Sequence, residues 1–226
     1  MNETFSTKNF ERVQLREISN IKPGVNVSSK KMGYGSLYVT VENLYENRFI
    51  NLAKLSKADI GAKNQKEHRL EYKDIVLSKS SVKKEGIGYG CIFRNRSKLV
   101  IPSGFTVRIR SNKDKCDANF LFYSLRSYET RKWIINYSQT SALTNLNAGI
   151  INSIPISLPS LPEQKKIASI LSSADEVIEK TQSQINKLQN LKKSIVNELL
   201  TKGIAHTEFK GSELGKIPKS WEVNNF

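Results

Sequence analysis

Between residues 10 and 110 the apolar positions come in short runs broken by polar, glycine-bearing turns. That pattern predicts a compact β-rich domain rather than alternating βαβ units. The runs predict strands at Val13–Ile18, Leu37–Val41, Asp74–Ser78, Tyr89–Phe93 and Phe105–Ile109. Turns at Lys22-Pro23-Gly24, Lys84–Gly88 and Pro102-Ser103-Gly104 separate them, because glycine takes backbone angles that other residues resist. From about Asn119 the spacing changes, and Phe120, Leu121, Leu125, Trp133, Ile134 and Tyr137 suit one or two helices packed on the β-rich core.

The clearest element starts after Ser160-Leu161. Pro162 suits a first helical turn, Glu163 beside it favours the helix dipole, and the stretch runs unbroken to Lys202, where Gly203 suits a stop. Along it Ile167, Leu171, Ala174, Ile178, Thr181, Ile185, Leu188, Ile195 and Leu199 follow steps of four and three, with Lys192 as the interruption and Leu191 beside it. An average step of about 3.5 residues marks a coiled-coil seam. About 40 residues at a rise of 1.5 Å make a helix of ~60 Å, more than a domain of this size covers. Outer positions such as Glu176, Lys180, Gln184, Lys187 and Lys193 are polar, so the stripe calls for a helical partner, either a second copy or another protein. A helix folded back on its own domain is the alternative.

The chain has 226 residues, 38% of them hydrophobic, with a formal net charge of +15, the composition of a folded protein with basic character. Up to residue 160 there are 26 basic and 13 acidic residues, against 10 and 8 beyond it, so the first part carries the surplus and points to a nucleic-acid partner. No apolar run is long enough to span a membrane and Met1–Lys8 lacks the apolar core of a signal peptide, which predicts a cytoplasmic protein. Cys91 and Cys116 lack metal-ligand spacing, and His68 and His206 lie in polar surroundings. Neither a phosphate loop nor a dinucleotide turn is present, and Asp114 and Asp117 lack a convincing third metal ligand, so no catalytic residue and no metal site is expected. A coiled-coil interaction or scaffold protein explains the helix but leaves the basic surplus without a purpose; a scaffold that carries a non-specific nucleic-acid-binding domain is the competing reading.

Loop clusters nominate the DNA contacts. Lys30 and Lys31 lie with Tyr34 and Ser36 in a glycine-bearing stretch, Lys79, Ser80, Lys83 and Lys84 follow a predicted strand, and Arg94, Asn95 and Arg96 leave another. Arginine pairs bidentately with guanine and asparagine with adenine, which assigns Arg94, Asn95 and Arg96 to bases and the lysines to phosphates.

The segment Ile156-Ser157-Leu158-Pro159-Ser160-Leu161-Pro162-Glu163-Gln164-Lys165-Lys166-Ile167 is similar to the Pro-Leu-Pro-x-Leu-x-Glu-Gln-x-x-Ile opening of a conserved helix in the DNA-specificity subunits of type I restriction-modification systems. The tail from Phe209 to Val223 resembles that family's link into a second recognition domain, and Ser220-Trp221-Glu222-Val223 faintly repeats Asn9-Phe10-Glu11-Arg12-Val13. Weaker echoes are Lys73-Asp74-Ile75-Val76, against Gly-Asp-Ile-Leu, and Thr140–Asn147. Lys73 replaces the glycine, and Ser157 and Ser160 replace prolines. Where the family has two recognition domains and two helices, this chain has one of each. The resemblance implies an α+β fold: a β-rich target-recognition domain with packed helices over 1–158, a conserved long coiled-coil-forming helix over 159–203, and a linking tail over 204–226. It also implies a non-catalytic reader of double-stranded DNA without cofactors of its own. Methyltransferase subunits would carry S-adenosylmethionine, and any restriction subunits would use ATP and Mg. A homodimer through antiparallel helices would supply the second half and read an interrupted palindrome.

Overall fold

The computed structural model describes residues 10–45, 48–140, 143–213 and 215–223. Asn9 of the terminal repeat, Ser141 and Ala142 of the weaker echo, and Leu214 of the tail lie outside them. The chain divides into two compact units, Met1–Leu171 and Ser172–Phe226.

In the first unit the elements run β1 (Glu11–Gln14), α1 (Leu15–Ile18), β2 (Ser19–Pro23), β3 (Met32–Val39), β4 (Ser56–Ala58), α2 (Ala62–His68), β5 (Ile75–Ser78), β6 (Ser80–Ser81), β7 (Gly90–Ile92), β8 (Val100–Pro102) and β9 (Thr106–Ser111). Then come α3 (Ala118–Arg126), α4 (Tyr128–Tyr137), β10 (Gln139–Thr140), β11 (Thr144–Asn145), α5 (Ala148–Asn152), β12 (Pro155–Leu158) and the start of α6 (Leu161–Lys202). An antiparallel sheet of order β2-β9-β5-β7 is central, and a mixed sheet of order β4-β3-β8 accompanies it. The central sheet is covered on both faces. Ile75 and Leu77 of β5, with Val107 and Ile109 of β9, join Phe120, Leu121 and Leu125 of α3 in one core, while Val76 and Cys91 join Val39, Leu44, Phe93 and Val100 in another. Burial on both sides is why β5 reads as an uninterrupted apolar run rather than an alternating one. In both cysteines burial pushes the thiol pKa up to about 12, as expected of sulfur packed as core rather than poised for chemistry.

The α+β architecture agrees with the sequence expectation, and several boundaries differ from it. The strand expected over Val13–Ile18 ends at Gln14, because Leu15 and Ile18 are buried three residues apart, which a helical turn satisfies and a strand does not. Strand β3 starts earlier than expected, through a bulge at Met32–Ser36 where Gly33 and Gly35 adopt φ of 99° and 93°. The turn expected at Pro102-Ser103-Gly104 begins as β8, with Pro102 as the last residue of an edge strand. Helix α2 interrupts the β-rich stretch, and the tail, to which the sequence pattern assigns no element, forms the hairpin β13 (Phe209–Ser212) and β14 (Gly215–Pro218) with Ile217 buried.

The first unit also reaches past residue 158 into α6, and one side chain accounts for much of this. Gln164 is fully buried; its Oε1 accepts from the Asp117 amide at 2.8 Å, and its Nε2 donates to the carbonyls of Pro159 at 2.8 Å and Lys115 at 3.2 Å. Asp117 in turn caps α3, its carboxylate accepting from the amides of Asn119 and Phe120 at 2.9 and 3.0 Å. The glutamine of the Glu-Gln motif therefore joins the first turn of α6 to the opening of α3. Ala168 is buried one turn on, and Ile167, expected on the partner seam, packs against the domain core instead.

In the second unit α6 ends as its sequence predicts: the Gly203 amide donates to the Leu199 carbonyl at 3.0 Å with φ of 67°, and His206 and Trp221 crowd the space a β-carbon would fill. Replacing Gln164 by Leu would leave one amide and two carbonyls unpaired in the interior. The expected cost is about 3 kcal/mol, read from urea unfolding with an unchanged slope.

Candidate nucleic-acid interface

Strands β5 and β7 are antiparallel, with Ile75 opposite Ile92 and Leu77 opposite Gly90. Residues 79–89 therefore join them at one end, while Lys73 and Arg94 flank the other. Strands β3 and β8 are parallel, with Leu37 beside Val100, so residues 94–99 and Lys30-Lys31 lead in at a common end of that sheet. The nominated residues thus divide into two groups. Arg94, Asn95 and Arg96 lie at the open end of the β5–β7 hairpin, on the lead-in side shared with Lys30, Lys31 and Tyr34. Lys79, Ser80, Lys83 and Lys84 lie at the closed end.

At the open end two guanidinium groups lie on aromatic platforms. The Arg94 Cζ is 4.0 Å from the ring centroid of Phe49, and the Arg96 Cζ is 4.0 Å from that of Tyr72. Neither arginine has a hydrogen bond or ion pair among the described residues. Stacking restrains a flexible side chain while leaving its donor edge open, which lowers the entropy lost when it pairs with a guanine or a phosphate. Asn95 does something else. Its Oδ1 accepts from the amides of Ser97 at 2.9 Å and Lys98 at 2.7 Å, so it shapes the loop that carries both arginines instead of offering a free carboxamide to adenine.

The same end opens into a cleft of about 750 Å³, with Lys73, Arg96, Lys98, Lys113 and Lys165 on its walls. Buried Asp74 sets the rim: both its oxygens accept from Arg110 at 2.8 Å, Arg110 also pairs with Glu71 at 2.8 Å, and the Glu71 amide donates to Asp74 at 2.7 Å. The bond to Asp74 is the main reason that the Arg110 pKa is raised; burial first, then the charge of Arg110, lowers that of Arg108. The Asp74 amide closes a turn onto the Glu71 carbonyl at 2.9 Å, and Lys73, third in that turn, takes φ of 73°. Glycine is the residue that fits this position without strain; lysine occupies it at a cost of about 1 kcal/mol.

The closed end is built differently. The Lys79 backbone bonds Phe105 at 3.0 Å and Leu146 at 2.8 Å, and the Ser80 hydroxyl donates to Asn145 at 2.6 Å, so Ser80 is committed to the fold. Arg131 donates to the carbonyls of Ile87 and Glu85, fastening the loop to α4, while Lys83 and Lys84 stay exposed. On the other side Lys31 pairs with Asp59 at 3.5 Å, and exposed Tyr34 sits on β3 rather than in a loop. Phe49, Tyr72, Lys73, Lys98, Lys113 and Lys165 were not among the nominated residues; nothing in the sequence matches a ring to an arginine 24 to 45 positions away. Asp117 is the cap of α3, and among the described residues no group of His, Cys, Asp or Glu is placed to hold a metal ion.

Comparison with known proteins gives the family of the chain. The family described as the type I restriction modification DNA specificity domain matches residues 7–190, and the chain belongs to that family, which is one of DNA recognition rather than catalysis. It is 30% identical over 236 residues to the putative type I restriction enzyme MjaX specificity subunit of Methanocaldococcus jannaschii, covering 97% of this chain and 55% of that protein. To the MjaVIII specificity subunit of the same organism it is 31% identical over 210 residues, covering 92% and 45%. In fold it is similar to the type I restriction-modification S subunit from M. genitalium, with a TM-score of 0.61 at 15% identity, covering 88% and 47%. The chain spans about half the length of the curated relatives it matches.

Asn95→Ala would release the amides of Ser97 and Lys98 and loosen the arginine loop. The expected result is a stability loss of about 1 kcal/mol with faster tryptic cleavage after Arg94, Arg96 and Lys98 in the native protein. Unchanged cleavage would remove Asn95 as the loop's organiser.

Proposed function

We propose that this chain acts in the cytoplasm as a DNA-specificity subunit that reads one half of a split site, pairs through α6, and docks methyltransferase subunits. The observation that carries the DNA reading is the pair of stacked arginines, Arg94 and Arg96, without hydrogen bond or ion pair among the described residues, of which Arg96 lies on the wall of a lysine-lined cleft. Planar forks held at fixed positions suit guanine edges, while mobile lysines suit phosphates. Lys30, Lys83 and Lys84 serve as phosphate contacts in this reading. Catalysis, with S-adenosylmethionine and any ATP and Mg, belongs to the partner subunits.

Pairing is supported by the exposed apolar stripe of α6, where Ile178 and Leu188 are 65% and 64% accessible. Two copies joined antiparallel by helices of ~60 Å would present two identical readers to an interrupted palindrome. Ile170, Val177 and Leu191 beside the seam are exposed too, so the apolar face is wider than a two-helix contact needs and has room for helices of a methyltransferase subunit.

The test is selection from a random duplex library, with light scattering of the free protein. Expected are an enriched two-fold-symmetric split motif and a particle of about twice 25.6 kDa. Arg94→Ala and Arg96→Ala should each relax preference at a base position by about 1–3 kcal/mol, whereas Lys83→Ala with Lys84→Ala should weaken all sequences alike and flatten the salt dependence. Binding without enrichment would favour a scaffold with non-specific nucleic-acid affinity.

A further inference from the structure

From Leu171 to Ile195 the eight seam positions of α6 are Leu171, Ala174, Ile178, Thr181, Ile185, Leu188, Lys192 and Ile195, spaced alternately by three and four residues, and exposed Leu199 continues the seam beyond them. Seven are apolar or neutral. Lys192 is charged, and its ammonium group has no hydrogen bond or ion pair among the described residues. A lone lysine in such a seam weakens most alignments, and a polar seam residue of this kind selects a register.

We infer that α6 pairs antiparallel with α6 of a second copy in one register, with its two-fold axis level with Ser183 and Lys192 seated between Ala174 and Asp175 of that copy. The inference rests on the pairing proposed above. When Thr181 of one helix faces Ile185 of the other, all eight positions find a seam partner: Leu171 meets Ile195, Ala174 meets Lys192, and Ile178 meets Leu188. Ala174 is the smallest seam residue and leaves space for the lysine stem. In an antiparallel pair the flank beside Lys192 is filled by the residue following Ala174, which is the carboxylate of Asp175. Shifting the register by one heptad either way places Lys192 against Ile167 or Thr181, with Ala168 or Gln182 on that flank and no carboxylate there. Ile167 and Ala168 are moreover packed into their own domain core. In the central register Val177 also meets Leu191 beside the seam, which continues the apolar contact.

Cysteine pairing in the full chain tests the register. Cys91 and Cys116 are buried with thiol pKa values pushed up to about 12, so they stay out of mild oxidation. Thr181→Cys and Ile185→Cys proteins, exchanged and oxidised together, should give a disulfide-linked dimer that neither gives alone. A Thr181→Cys protein that crosslinks to itself, or a dimer by light scattering that yields no mixed crosslink, would overturn the register. A monomer would overturn the pairing itself. Independently, Lys192→Asp should weaken self-association by about tenfold, and Lys192→Asp combined with Asp175→Lys should restore it. Failure of that restoration would also count against the register.

Discussion

The carboxamide of Gln164 is the joint on which the recognition unit depends. It is fully buried and uses both its acceptor and its donors, on the amide of Asp117 and on the carbonyls of Lys115 and Pro159. A buried amide left half-satisfied is costly, so these bonds hold as a set. Because Asp117 also caps α3, the one joint sets where α6 begins and where α3 lies on the central sheet. Helix α3 then carries Arg126 to Tyr89, and α4, which follows it, carries Arg131 to the closed-end loop.

Against this fixed frame the basic residues have two distinct conditions. Arg108, Arg110 and Arg131 are spent on the fold, bonded to Asn20, Asp74 and backbone carbonyls. Among the described residues Arg94 and Arg96 are held by ring faces alone, and Lys73, Lys98 and Lys113 stand on the cleft wall. The left-handed backbone at Lys73 belongs with this second set. Strain at a turn that glycine would relieve, next to a cluster of like charge, is the kind of local cost found where a side chain serves a ligand rather than the fold. The rigid ion pairs thus shape the rim, and the unpaired cations supply its field.

Helix α6 changes its surroundings along its length. Its first turns, with Gln164, Ile167 and Ala168, complete the core of the recognition unit, after which Ile178, Leu188 and Leu200 are exposed. The amphipathic pattern does not change where the packing does, because the same spacing of apolar residues serves a domain core and a second helix equally well.

The sequence by itself determined the β-rich and helical division, the limits of the long helix from Leu161 to Lys202, and the glycine stop, since these rest on local periodicity and backbone preference. It also showed where the positive charge lies, and that Arg94 and Arg96 belong to a loop. Tertiary structure alone decided that Asn95 shapes that loop, that Ser80 is bonded to Asn145, and that Lys83 and Arg96 lie at opposite ends of one hairpin. It likewise supplied Phe49 and Tyr72 as platforms and turned Gln164 inward. The physical reason is that periodicity reports which side of an element is apolar, whereas hydrogen-bond partners and stacked rings come from segments tens of residues apart, brought together only by the packed fold.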